Sequence, residues 1–256
     1  MKHAGPIELI PVRSFPLVRE NDRIAQHIIT CLEFQGVALQ TDDILVIAQK
    51  VVSKAEGRLL NLSTIIPTER AFRLSDVCRK DPRLVQAILS ESSEVLRCAD
   101  NLLIVVHRLG FVAANAAIDA SNVGANNENF VLLLPRDPDK SAVAIRNEIA
   151  ETTGISVGII INDSFGRAWR QGTIGTAIGA AGLPSLEDLR GRPDLFGRTL
   201  VATEVATADQ LASAASLLQG QADEGIPVVL IRGFHSSSPH NSAAALIRPS
   251  EKDTFR

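Results

Sequence analysis

A carboxylate and a hydroxyl stand side by side at Asp163 and Ser164, within the stretch VGIIINDSFGRAWRQG of residues 157–172. Both offer hard oxygen donors of the kind that Mg2+ and Mn2+ prefer, and neighbours at the end of a strand can share one cation. Arg167 and Arg170 follow closely. Guanidinium groups near such a carboxylate suit an anionic substrate, phosphate or carboxylate, through bidentate hydrogen bonds. The same residues also fit a capped turn in which Asp163 accepts backbone amides and pairs with Arg167. A second carboxylate, Asp119, interrupts the small-residue segment GFVAANAAIDASNV, with Asn122 close behind it. It reads either as a metal or phosphate contact or as an Asx-type turn cap. Lys50 and Lys54, in QKVVSKAEG, can hold phosphate oxygens as point charges, although the default for a lysine is a solvated one. His107 ends an apolar run and reads as structural rather than catalytic. The glycines of residues 173–182 form neither a Walker nor a dinucleotide-binding pattern.

These residues need elements to position them. The run at 157–161 is short and rich in β-branched side chains, which predicts a buried strand ending abruptly at Asn162-Asp163-Ser164. Further strands are expected at 7–12, 44–48, 102–107, 130–134 and 226–231. Apolar spacing predicts helices over 22–34, from Thr68 as a cap to the Asp81-Pro82 break, over 83–98, from about 141 to 153, and over 207–218. In the helix expected at 83–98, Glu91 and Glu94 fall on the polar side and read as surface charge. Residues 126–129 read as a turn, 188–200 as an arginine-rich loop, and the tail from Ser236 as a surface segment. Strands and helices interleave irregularly. That favours an α+β fold, mixed sheets with flanking helices, over a regular doubly wound Rossmann or P-loop fold.

The bulk properties narrow the function classes. A chain of 256 residues with 45% hydrophobic and 21% charged residues is an ordinary globular composition. A formal net charge of -3 gives no global reason to expect nucleic acid or a membrane surface as a partner. The three cysteines, Cys31, Cys78 and Cys98, are widely spaced and form no CxxC pair. This is unlike a zinc site or a disulfide scaffold and points to a reducing, cytoplasmic compartment. No apolar run approaches a membrane span, and the first residues lack the apolar core of a signal peptide.

Five segments occur in one order: VVSKAEGR (51–58), NAAIDASNV (115–123), NDSFGRAWRQG (162–172), RGRPDLFGRTL (190–200) and QGQADEGIPVVLIRG (219–233). Together they resemble the coenzyme F420-0:γ-glutamyl ligase family over residues 7–234. The resemblance implies a single catalytic domain over 1–256, with a tail at 235–256 and no fused flavin-reductase-like domain. It implies an enzyme that adds L-glutamate to coenzyme F420-0, a deazaflavin, in γ-linkage, with GTP consumed and an acyl phosphate formed. Two divalent ions, Mg2+ or Mn2+, are implied, with K+ left open as a further cation, and a homodimer is suggested. By the same resemblance the metal ligands are Asp119, Asp163, Ser164 and Gln221. The nucleotide contacts are Phe15, Pro16, Leu17, Val18, Gln49, Lys50, Lys54 and Asn122, with Gln219, Gly220, Gln221, Ala222, Asp223, Glu224, Gly225 and Ile226. Gln221 stands where many relatives are expected to carry a glutamate, and its neutral amide oxygen is a weaker ligand than that carboxylate, which bears on metal affinity and the choice of ion. No residue is nominated as general base. Two alternatives remain: an amide-forming ligase acting on another carboxylated, folate-like acceptor, and a non-catalytic nucleotide- or metabolite-binding relative.

Overall fold

The apolar runs ILVIA, GIII and VVLI become the inner strands of a sheet covered on both faces, which is why their apolar character is continuous rather than alternating. The structure, a computed structural model, describes residues 5–123 and 129–254. Its elements in chain order are β1 (Glu8–Pro11), α1 (Ile24–Phe34), β2 (Ile44–Ala48), α2 (Gln49–Ala55), β3 (Leu59–Asn61), α3 (Glu69–Cys78), α4 (Pro82–Ser90), β4 (Ser92–Ala99) and β5 (Leu102–His107). There follow β6 (Val112–Ala114), β7 (Phe130–Leu132), α5 (Pro138–Thr153), β8 (Gly158–Arg167), β9 (Arg170–Ala181), β10 (Glu187–Asp188), β11 (Glu204–Val205), α6 (Thr207–Gln219) and β12 (Val228–Arg232).

The main sheet has the order β1-β12-β2-β8-β9. Only β2 and β8 run parallel in it; the other pairs are antiparallel. Strand alternation sorts its residues cleanly. Leu45, Ile47, Ile159, Ile161, Val228 and Leu230 pack with Ile28, Leu32 and Ile149 of α1 and α5. Ile44, Val46, Ile160, Val229 and Ile231 pack with Ala208, Leu211, Ala212 and Ala215 of α6. Along β9 the register skips Ile178, so that Ile161 faces Gly179 while Asn162 faces Ala177. That bulge turns Gly175 toward α6 and Gly179 toward α5. A Cβ at Gly175 would collide with the Ala212 carbonyl, and one at Gly179 with Pro138. A second group joins the sheet β4-β5-β6 to α3 and α4 through Ala71, Cys78, Val85, Ile88, Leu103 and Val105, and β3 pairs with β7. Mixed sheets with flanking helices make this an α+β fold, as expected.

Four expectations need correction. The helix over 83–98 is α4, ending at Ser90, followed by β4. Register shifts of β4 between Ser92 and Glu94, and again between Val95 and Arg97, displace its apolar residues from two-residue alternation. Val95 and Leu96 therefore continue the helical spacing of Ile88 and Leu89 and imitate a longer helix. Glu91 is buried rather than at the surface, where Arg58 and Arg108 hold it. The strand expected to stop at Asn162 runs on to Arg167, because β9 continues to pair with it. The tail from Ser236 folds back: Asn241 Oδ1 accepts the amides of Ser185 and Leu186, and Ala243 is buried against the α6 side of the sheet. The turn expected at 126–129 lies, except for Asn129, outside the described residues. Among the described residues no helix is long and apolar enough to cross a membrane.

Candidate active site

The parallel strands β2 and β8 end their pairing together at Ala48 and Asn162. From there β2 gives way at once to α2, which presents Gln49, Lys50 and Lys54, while β8 continues with Asp163 and Ser164. Asp119 arrives from another part of the chain, fixed by reciprocal backbone hydrogen bonds with Leu132: 3.0 Å from its amide and 2.8 Å to its carbonyl. Gln49 Nε2 donates to Asp119 Oδ2 at 2.8 Å, and Lys50 Nζ lies 3.4 Å from the same oxygen. Ser53 Oγ donates to Gln49 Oε1 at 2.9 Å, which fixes the orientation of that amide. Asp119 is thus held by side chains of α2 and not spent on a turn cap.

Burial raises the pKa of Asp119 against the opposing pull of Lys50. Asp163 is pushed up to about 7, by burial first and then by the charge of Asp119. Two half-buried carboxylates that repel each other form a site whose repulsion a hard dication would relieve. Among the described residues no group of three or more His, Cys, Asp or Glu is gathered as a metal site. A dication here would therefore use the two carboxylates together with neutral oxygens, a ligand set that Mg2+ accepts. Successive strand side chains alternate in direction, so Asp163 leaves β8 on the face of Ile161 and Phe165, and Ser164 on the face of Asn162. The two are neighbours in sequence, yet their side chains serve opposite sides of the strand.

A pocket of about 1090 Å³ opens beside these groups. Its walls include Phe15, Pro16, Leu17, Val18, Gln49, Lys50, Lys54, Asn122, Asp163, Ser164, Gln219, Gly220, Gln221, Ala222, Asp223, Glu224, Gly225 and Ile226. Asp119 stands behind Gln49 and Lys50, which line it. The lysines are not simply solvated. Lys50 Nζ donates to Ser121 Oγ at 3.0 Å and Lys54 Nζ to the Asn122 carbonyl at 2.7 Å. Burial, and then the charge of Lys50, lowers the pKa of Lys54. Asn122 Nδ2 in turn donates to the Ala222 carbonyl at 3.2 Å, joining two walls of the pocket. Gly220 adopts φ +68 and lies under the Glu224 carboxylate, which accepts the Ala222 amide at 2.9 Å. Phe15 sets its ring edge-on to His27, at 5.9 Å between centroids, while Leu17 remains 92% exposed.

A family model described as F420-0:Gamma-glutamyl ligase matches residues 13–233. The chain belongs to this family. It is 47% identical over 253 residues to a protein of Methanothermobacter thermautotrophicus named coenzyme F420:L-glutamate ligase, covering 98% of this chain and 99% of that one. Proteins of the same name from Methanocaldococcus jannaschii and Methanopyrus kandleri are 45% and 42% identical, over 85% and 98% of this chain and 86% and 100% of theirs.

Within this F420-0:gamma-glutamyl ligase family member, two side chains matter that sequence reasoning passed over. Asn162 and Gln219 exchange amide hydrogen bonds at 2.7 and 3.1 Å, so the Gln219 side chain braces the wall of the pocket. Ser121 receives Lys50. The signal for Asn162 was present: a buried amide directly following an apolar run needs a partner. His107 lies outside the pocket, buried, with Nδ1 accepting the Leu109 amide at 3.0 Å and its ring stacked 4.9 Å from Phe111. Arg167 makes no ion pair with Asp163, whose Oδ1 accepts the Ser164 amide at 2.8 Å, so the turn in which those two pair does not form.

Proposed function

We propose that the protein joins L-glutamate to coenzyme F420-0 in an amide bond, with GTP consumed. The observation that carries this reading is a large pocket lined by Lys50, Lys54 and Asp163, with Asp119 directly behind it and repelling Asp163, in a chain of this family. In this reading Lys50 and Lys54 would neutralise a triphosphate. On the other face of β8, Ser164 and Gln221 would offer oxygen donors to a second Mg2+ or Mn2+ ion, while Asp119 and Asp163 would hold the first. Bound there, the ion supplies positive charge to phosphate oxygens.

In this reading a carboxylate oxygen of the acceptor attacks the γ-phosphorus, the bond to the β–γ bridging oxygen breaks, and GDP leaves. The free amine of L-glutamate then attacks the acyl carbon of the resulting acyl phosphate. The C–N bond forms, the C–O bond to phosphate breaks, and the amine proton passes to solvent. Gln49, oriented by Ser53, holds Asp119 in place throughout.

The test is mass spectrometry of F420-0 incubated with the protein, L-glutamate, GTP and Mn2+. Glutamylated product with equal amounts of GDP and phosphate is expected. Folded protein that yields no glutamylated product overturns the reading, and equal turnover with ATP overturns its choice of nucleotide.

A further inference from the structure

Beyond Asn162, β8 and β9 leave the main sheet as a two-stranded arm, since β2 ends opposite that residue. At the end of the arm Arg167 and Arg170 are direct cross-strand partners. Like charges placed opposite one another on antiparallel strands destabilise the pair unless something negative lies between them. Among the described residues neither guanidinium donates a hydrogen bond to a protein group, and Arg167 Nη1 is also shut off from solvent. A shielded donor without an acceptor carries a desolvation penalty that native proteins seldom leave uncompensated. Among the described residues the other arginines that are not exposed are occupied: Arg58 by Glu91, Arg83 by Asp81, Arg146 by the Val157 carbonyl and Ser156, and Arg232 by Asp43.

The location adds direction. Positions 163, 165 and 167 share one face of β8, because the irregularity before Arg167 falls on β9. Arg167 thus stands past Phe165, which packs on Phe111 at 5.2 Å between ring centroids, on the side of the strand that carries Asp163. Four residues of strand separate it from Asp163 by roughly 13 Å, beyond the triphosphate pocket, whose lining does not include it.

We infer that Arg167 and Arg170 form a carboxylate-binding site that holds a non-reacting anionic group of a substrate while its reactive end lies near Asp163. The inference rests on the ligase reading above, in which both the amino acid and the acceptor carry negative groups. Planar guanidinium pairs bind carboxylate through paired N–H donors, which a lysine does not reproduce. The carboxylate has two sources, L-glutamate and F420-0, and the experiment separates them.

KM values for L-glutamate, F420-0 and GTP would be measured for the unmodified protein, Arg167→Met, Arg170→Met and the double variant. Arg170 is exposed, so its replacement preserves the fold, which melting temperatures check. A roughly tenfold to hundredfold rise in the KM for L-glutamate, at unchanged KM for GTP, supports the site with the amino acid as occupant. The same rise for F420-0 supports it with the acceptor as occupant. Unchanged KM values for both, or a rise confined to GTP, overturn it. Equilibrium dialysis of L-glutamate and of F420-0 against the unmodified and double-variant proteins needs no turnover. If the unmodified protein shows no ligation, the ligase reading falls, and the dialysis decides the arginine site alone: binding lost in the double variant upholds it, and equal or absent binding overturns it.

Discussion

Asp119 and Asp163 are set against each other at a site where each is half-buried, and that opposition gives opposite expectations for activity and for stability. Asp163→Asn and Asp119→Asn each remove one carboxylate from the proposed cation site, so ligation should fall below about 1% of the unmodified rate at saturating Mn2+. In metal-free buffer the same replacements relieve repulsion, and melting temperatures should hold or rise. A variant active at near the unmodified rate would remove that residue from the metal site. Lys54→Met keeps the apolar stem and deletes the charge beside the Asn122 carbonyl. Calorimetry should show GTP binding weakened by about 1–3 kcal/mol, the scale of a charge-assisted hydrogen bond, with the melting temperature little changed. Equal GTP affinity in that variant would detach Lys54 from the phosphates. That Asp119, Asp163 and Lys54 gather around one pocket was legible from residue types and from the family resemblance. That Gln219 spends its amide on Asn162 was not, because the pairing spans α6 and β8 and leaves no local pattern.

At the scale of elements, Glu91 ties the end of α4 to β5 and to the chain after α2. It accepts Arg58 Nη2 and Arg108 Nε, both at 2.9 Å, with His107 Nε2 at 3.7 Å. Burial alone would raise its pKa, but the nearby His107 imidazole, the hydrogen bond from Arg108 and the charges of both arginines outweigh this and bring it down to about 2. A carboxyl depressed in the folded state stabilises above its unfolded pKa, and that contribution disappears as pH falls through the folded value. Melting of the protein and of Glu91→Gln should therefore differ at pH 6 by roughly 3 kcal/mol, and the gap should close between about pH 4.5 and 2. A gap independent of pH would show that packing, not charge, is what the variant loses. The same region shows why element boundaries escaped the sequence. The β4 bulges give Val95 and Leu96 a helical spacing, whereas the runs of β2, β8 and β12 were plain because both their faces are covered. The helix α2 was hidden for a related reason: seven residues directly after a strand are too few for a periodicity to emerge.

Across the whole molecule the pocket draws on residues 15–20, 48–59, 122–123, 162–164 and 219–227, with Asp119 behind it, so no contiguous piece of the chain contains it. The strand that follows the last of these segments, β12, lies between β1 and β2, and both of its edges are paired. Without β12, β1 has no partner in the sheet, and β2 keeps an open apolar edge of the sort that associates with other chains. During synthesis, therefore, the first strand made must wait for the last, and closure of the sheet spans more than two hundred residues of chain. Such long-range pairing is intrinsically slow, and the waiting intermediate is exposed to aggregation. Ribosome-bound chains arrested with residues up to about 218 outside the exit tunnel should remain protease-sensitive and unable to retain GTP. Chains extended past β12 should gain both properties together; protection already present in the shorter chains would refute that order. Nucleotide affinity would then arrive as one late event, and cellular GTP would act on the chain only once β12 is in place, as a ligand that completes folding rather than one that guides it.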